Sequence, residues 1–353
     1  MPVEIIGWVA PQVVSEILPP QGPPFDAAII AETAMAHEAS DFDRALIGYF
    51  SHAPDGFLIA AHAAACTERL SFLLAHRPGF VSPTLAARKI ATLDQLTQGR
   101  AAVHMIAGGS VEEQAKDGDF VEHGDRYRRM IEYVELLKQT WTSDRPFSHT
   151  GEFYRIEKQL SQIRCATDPH VPIYGGGGSD AAVNALAPHI DLFMLWGEPL
   201  RETADFMAKV RAAAGSNPIK FSVSTRPILG RTEEEAWEKA RDILAQIEAR
   251  MGGREPGAPQ NAGSQRLLEV ADAAEVHDTC LYTALAKATG APGNSTALVG
   301  TPETVAQAMA AYYDIGATSL LIRGYDPLED AKEYGKELIP RLRELVAQRD
   351  AGA

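Results

Sequence analysis

The chain has 353 residues, of which 45% are hydrophobic and 23% charged, and a formal net charge of −14. That composition excludes a mainly disordered chain, a collagen-like repeat and a disulfide scaffold, since Cys66, Cys165 and Cys280 are odd in number and far apart. The acidic excess disfavours nucleic-acid and anionic-lipid surfaces, which select clustered Lys and Arg, but leaves room for a local basic pocket around a small anion.

Short apolar runs alternate with longer amphipathic segments along the whole chain. Glu4–Val9 reads as a strand and Phe25–Ala39 as a helix; Arg44–Tyr49 and Asp55–Cys66 repeat the pair, as do Leu70–Ala75 and Pro83–Leu96. Ser82 stands at the N-cap of that third helix and Gly99 lies just past its end. Ala101–Ala107 is the fourth strand and Asp125–Trp141 its helix, followed by Pro172–Tyr174 with Ser179–Leu186, and Leu192–Trp196 with Leu200–Ala213. Lys220–Ile228 with Glu233–Arg250, then Ser319–Ile322 with Leu328–Gln348, complete eight strand–helix units. Eight such units predict a closed (β/α)8 TIM barrel of the α/β class as a single domain over residues 1–353; a doubly wound open sheet is the alternative. Two stretches break the rhythm. Residues 143–171 are expected to hold a hairpin around Thr150–Tyr154, and residues 251–295 hold a helical pattern, Gln265–Val270, between Gly- and Pro-rich ends. Insertions of this length are expected over the face that carries the chemistry, as lids. No 18-residue apolar run and no leader pattern occurs, which points to the cytoplasm.

In a parallel barrel the chemistry lies at the C-terminal ends of the strands. The most informative of those ends is Tyr174-Gly175-Gly176-Gly177-Gly178-Ser179-Asp180. Consecutive glycines let a backbone approach a ligand closely, and Ser179 is placed to cap the next helix or donate to a phosphate oxygen. The run lacks both the GK[ST] of a Walker loop and the GxGxxG spacing of a dinucleotide fingerprint. The alternative is a flexible turn. Arg77 and Arg226 also fall at strand ends, where a guanidinium fork matches an oxyanion; the alternative for each is a rim salt bridge. His52, His76, His104 and His123 are weighed against ordinary structural histidines, and mid-strand His104 favours packing. Trp196 is either core or a wall for a flat ring. No metal-binding cluster is suggested.

At these residues the sequence resembles the bacterial luciferase-like flavin-dependent monooxygenases, nearest to their alkanesulfonate monooxygenase branch. The likeness is carried by Arg77-Pro78 with SPTLAARKIATLDQLTQGRAAVHMIAGG, by DGDFVEHGDRYRRMIEYVELLKQTW and PIYGGGGSDAAV, and by DLFMLWGEP, NSTALVGTPETVAQAM and LLIRGYDPLEDAKEYGKELIPRL. It implies a barrel that binds reduced FMN delivered by a separate NAD(P)H:flavin reductase and uses O2 as co-substrate. The flavin ring would lie against Ala107 and Gly108, with the phosphate on Gly177, Gly178 and Ser179. His123 and Tyr127 match positions that line the flavin site, and Ala75 precedes His76 where the family often places a strained bulge or cis peptide. Tyr325 matches the tyrosine of the family's Gly-Tyr pair. Arg77 and Arg226 would hold a sulfonate, Trp196 would border it, and Lys287 would replace an arginine on the mobile loop before TALVG. Catalysis would fall to His123, Arg226 and Tyr325, the lid to residues 251–295, and oxygenation of an organosulfonate would release sulfite and an aldehyde. A homodimer or homotetramer is expected. Two departures stand out: Tyr49-Phe50-Ser51-His52-Ala53 lacks the cysteine usual in alkanesulfonate enzymes, and Phe221–Arg226 carries one clear cation where they have an Arg-x-His pair. Oxygenases of sulfones, alkanes or heterocycles, deazaflavin-dependent hydride-transfer enzymes and a non-catalytic flavin-binding paralogue share this resemblance.

Overall fold

A computed structural model describes residues 3–108, 110–254, 256–257, 259 and 261–352. Its elements are β1 (Glu4–Trp8), α1 (Ala27–Ala39), β2 (Arg44–Ile47), α2 (Gly56–Ala65), β3 (Ser71–His76), α3 (Pro83–Leu96), β4 (Ala101–Met105), α4 (Val111–Lys116) and α5 (His123–Thr142). The hairpin β5 (Phe147–Thr150) and β6 (Arg155–Gln159) follows, then β7 (Ile173–Gly176), α6 (Asp180–Leu186), β8 (Leu192–Trp196), α7 (Leu200–Ala214), β9 (Lys220–Leu229) and α8 (Glu233–Met251). The chain ends with α9 (Ala262–Ala273), β10 (Val276–His277), β11 (Leu281–Tyr282), α10 (Ala284–Thr289), β12 (Ala297–Gly300), α11 (Pro302–Asp314), β13 (Ser319–Ile322), α12 (Glu329–Glu333), a π-helical turn (Tyr334–Leu338) and α13 (Ile339–Gly352). Among the described residues no helix is long and apolar enough to cross a membrane.

Strands β1, β2, β3, β4, β7, β8, β9 and β13 pair in that order, all parallel, and β13 closes on β1, so the expected (β/α)8 barrel is present. Strand side chains alternate. One set, Ile6, Leu46, Leu73, Ala102, Tyr174, Leu192, Met194 and Leu321, fills the barrel. The other meets the helices in the main core, where Ile5, Leu74, Val103, Ile173, Phe193, Val223 and Leu320 pack. At the lower end the interior is polar: Arg44 donates to Glu4 at 2.8 Å, and Tyr174 Oη donates to the same carboxylate at 3.0 Å. The pairing offsets the cost of burying these charges, although Arg44 Nη1 is left without a partner.

Two expectations change. Residues 143–171 do not roof the chemical face. They join the end of α5 to the start of β7, so they run along the opposite end, where Thr167 bonds Asp94 and Arg164 bonds the carbonyls of Trp141 and Ser143. The β5–β6 hairpin is pinned to the outside of α5, with Glu132 accepting from His149, Phe153 N and Tyr154 N. Second, α8 is not the crossover of the seventh barrel unit. Strand β9 runs past the barrel mouth, and its last residues pair with β12, which pairs with β11, which in turn pairs with β10. Helix α8 packs on this small extension through Ala236, Ala240, Ile243 and Ile247. The true return helix is α11, which the sequence reading left unassigned; it packs on α13 and β9 and leads into β13. Helix α9 covers the register expected at Gln265–Val270, with Asn261 capping its first turn by accepting from Ser264 N at 2.7 Å.

Candidate functional site

The glycine run leaves β7 and enters α6, with Ser179 as the N-cap accepting from Ala182 N at 3.2 Å. A side chain would not fit along it. A Cβ at Gly176 would stand 2.7 Å from the Met194 carbonyl, at Gly177 2.5 Å from Ala182 Cβ, and at Gly178 2.7 Å from Gly263 N. Tyr127 on α5 reaches the same spot: its hydroxyl lies 3.4 Å from the Gly177 Cβ position. Burial raises the Tyr127 phenol, against the opposing pull of Ser179, so it stays protonated and able to donate. Ala107 packs with Tyr127 and Ala182, and the exposed ring of His123 lies 5.3 Å from that of Tyr127. Ala107, His123, Tyr127, Gly177, Gly178 and Ser179 therefore form one wall. Gly108 adjoins it with φ +84°, a conformation suited to glycine; its open side is filled by Gln114 of α4, which donates to the Ala107 carbonyl at 3.0 Å. Ala75 pairs regularly with His104 across β3 and β4. The expected bulge or cis peptide is not there, since Asp168–Pro169 is the cis bond among the described residues. The parallel ladder holds Ala75–His76 extended.

A second cluster occupies the mouth between β1, β9 and β13. Arg226 is 1% exposed. Its Nη1 meets Glu16 Oε1 at 2.7 Å, Nε donates to the Arg323 carbonyl at 3.2 Å and Nη2 to the Gly324 carbonyl at 2.8 Å. Its guanidinium lies 3.6 Å from the centroid of the Tyr325 ring. Arg323 joins the same Glu16 oxygen at 2.9 Å and sits 5.3 Å over Trp8. Glu16 comes from the loop between β1 and α1. Burial opposes its charge, but Arg226 and Arg323 prevail and hold its carboxyl down at about 2. Tyr325 Oη is buried with no hydrogen-bond partner, and burial pushes that phenol up to about 12. His104 faces the barrel interior, and burial pushes it down to about 4, so it is neutral.

The remaining candidates lie apart. Arg77 stacks 4.6 Å over Tyr49 and pairs with Glu113 at 3.3 Å and Asp117 at 3.9 Å. Glu113 also takes Ser51 N and Oγ, and Asp117 takes the Tyr49 hydroxyl at 3.0 Å. A cavity of about 240 Å³ opens beside Arg77, lined by Tyr49, Ser51, Ala75, His76, Phe80 and Lys89 among others. His76 itself is structural: its Nε2 bonds Tyr133 Oη at 2.7 Å, and Tyr133 donates to the Val81 carbonyl. Trp196 is both core and wall, half-buried under α9, where a Cβ at Gly263 would meet its ring at 2.6 Å. Helix α9 thus sits over Gly178 and Trp196 and is tied down by Arg266 to Glu198. Lys287 joins no cluster; it is exposed and paired with Asp272 at 2.7 Å. Glu16, Trp8 and Arg323 were missed as site residues. Only the strand-end position of Arg323 offered a signal. No group of His, Cys, Asp and Glu suited to a metal occurs among the described residues.

The family model described as luciferase-like monooxygenase matches residues 5–319 of this chain. Among solved structures, riboflavin lyase with modified FMN and its substrate riboflavin is similar at a TM-score of 0.79 and 18% identity, over 98% of this chain and 92% of that one. DmoA from Hyphomicrobium sulfonivorans is similar at 0.78 and 18%, over 98% and 88%, and EDTA monooxygenase from Chelativorans sp. BNC1 at 0.78 and 17%, over 98% and 94%. Identities of this size speak for a shared fold.

Proposed function

Since the chain belongs to the luciferase-like monooxygenase family, we propose that it is a two-component monooxygenase of the alkanesulfonate branch, which takes reduced FMN from a separate NAD(P)H:flavin reductase and oxidises a small organosulfonate with O2. The observation that carries the reading is the convergence of Ala107, Tyr127, Gly177, Gly178 and Ser179 on one wall of a barrel whose mouth also holds two arginines. That wall fits FMN. Its glycine backbone admits no side chain, and the Tyr127 and Ser179 hydroxyls are placed to donate to a phosphate. Bound reduced flavin supplies the two electrons that activate O2. In the net reaction one oxygen atom joins the sulfur-bearing carbon, which leaves as an aldehyde with sulfite departing, and the other leaves as water.

The chain's own residues supply binding, orientation and dryness. Arg226 and Arg323 present guanidinium charge to the sulfonate. The Tyr325 hydroxyl, protonated and without a partner, donates a hydrogen bond or a proton to developing negative charge. His123 closes the flavin wall above Tyr127. Helix α9, seated on Gly178 and Trp196, keeps water out. Arg77 borders the neighbouring cavity as a second anion contact.

One observation favours a neutral substrate such as a sulfone instead: Arg226, Arg323, Arg77 and Lys287 are each already paired with a carboxylate. A panel of sulfonates and sulfones, with reduced FMN and O2, separates the readings. Sulfite from sulfonates supports the proposal. Sulfinate from sulfones alone replaces the substrate, and oxygen uptake with no organic product on any member rejects both.

A further inference from the structure

Two guanidiniums at the barrel mouth share one carboxylate. Arg226 Nη1 and Arg323 Nη2 both bond Glu16 Oε1, at 2.7 and 2.9 Å, and Glu16 is the one acid paired with either among the described residues. The cluster therefore carries one uncompensated positive charge. It is also enclosed: Arg226 is 1% exposed, and the side chains of Arg323 and Glu16 are 20% and 25% exposed. Three of its buried polar atoms have no partner, the donors Arg323 Nε and Tyr325 Oη and the acceptor Glu16 Oε2. An enclosed excess charge beside unsatisfied donors is the complement of an anion, and its magnitude sets which anion.

We propose that Glu16 sets the charge of the ligand accepted at the barrel mouth, cancelling one of two guanidinium charges so that the site takes a singly charged anion and rejects a doubly charged one. The proposal rests on the reading of this mouth as the substrate site, and it assigns discrimination to a residue of the β1–α1 loop. The arginines cannot supply that discrimination alone, because a bare pair would favour the dianion. Arg226 is also pinned by the Arg323 and Gly324 carbonyls, so it cannot swing away to adjust the local charge.

The test uses octanesulfonate and octylphosphonate, which share a chain and differ in headgroup charge at a pH where the phosphonate is a dianion. Binding is followed without flavin or O2 through the fluorescence of Trp8, which lies 5.3 Å under Arg323, with Trp8→Phe as the control that assigns the signal. The unaltered protein should bind the sulfonate more tightly. Glu16→Gln should move the sulfonate-to-phosphonate ratio toward the phosphonate by about tenfold or more, since it restores a full charge at contact distance, and Glu16→Asp should keep the native order. An unchanged ratio in Glu16→Gln, a native preference for the phosphonate, or binding of neither ligand overturns the proposal. If Glu16→Gln does not fold, Arg323→Gln carries the test: a neutral pair remains, so the sulfonate should lose about tenfold in affinity, and undiminished affinity is the overturning result. A sulfonate that binds in this way but is never oxidised rejects the proposed reaction and leaves charge selection standing. Turnover with an unmoved binding ratio does the reverse.

Discussion

The Tyr325 hydroxyl is buried and bonds to nothing, although its backbone N–H is satisfied by Asp330 at 2.7 Å. A group that serves only the fold is usually partnered, because desolvating it costs about 1–3 kcal/mol. Tyr325→Phe should therefore leave the urea midpoint unchanged or slightly raised while lowering kcat by about 100-fold. Undiminished kcat would show that the hydroxyl has no part in the chemistry. At the opposite wall, Ser179→Asp keeps a capping oxygen for α6 but sets a carboxylate beside the expected phosphate, so FMN affinity measured by flavin fluorescence should fall at least about tenfold. Unaltered affinity would remove the phosphate from this loop. Ser179 and Tyr127 were both legible in the sequence, one from the glycine run and the other through family resemblance. Glu16 was not. It lies 210 positions from Arg226, in a loop with no periodic pattern, and only the closure of the barrel brings them together.

At the level of elements, Leu267 of α9, Ala286 of α10 and Ala291 just beyond it form an apolar contact with Trp196, and α9 lies on Gly178. This cover lies on Gly178, beside the proposed FMN wall, and the proposed function has it lift to admit the cofactor. Limited proteolysis should cut within residues 251–295 in the ligand-free protein and more slowly, by about fivefold or more, with FMN and a sulfonate present. Equal cleavage under both conditions would make the segment a fixed ornament. The expectation of a helix here was met at α9, whereas β10, β11 and β12 were not foreseen. Two-residue strands carry too little alternation to be read, and β12 is recognisable as a strand only once β9 is known to overrun the barrel. Helix α11 escaped for a different reason: α8 is longer and follows β9 directly, so it claimed the crossover role in any count of alternating units.

For the molecule as a whole, the pH dependence of folding follows from three buried histidines held neutral, His37, His76 and His104. His37 bonds the Thr33 carbonyl through Nδ1 and lies 3.3 Å from the Trp8 backbone N–H through Nε2, so a second ring proton would face a donor. Burial holds His37, His76 and His104 at about 4, below the ordinary value of 6.5. The denatured chain takes up these protons first, so the stability is complete above 6.5 and is lost as pH falls from there toward 4. Each ring is worth roughly 3 kcal/mol at the bottom of that window. Glu16, held at about 2 against an ordinary 4.5, extends the loss to lower pH. Urea midpoints should drop steadily through this range, and a flat profile would mean that the three rings protonate freely in the native state. We propose that the chain folds as one barrel domain, in which case all probes of unfolding should coincide in a single transition, and separate transitions would reject it.

Eight alternating strand–helix units were legible in the amino-acid order and pointed to a barrel over an open sheet, and the pairing of β13 with β1 closes it. The sequence by itself also marked the glycine wall, since a run of residues without side chains is legible one letter at a time. Tertiary structure alone decided which carboxylate meets which arginine, that residues 143–171 lie away from the chemical face, and that α11 is the return helix. Those outcomes depend on distances between residues remote in the chain, and the charge balance of the mouth exists only after β1, β9 and β13 have come together.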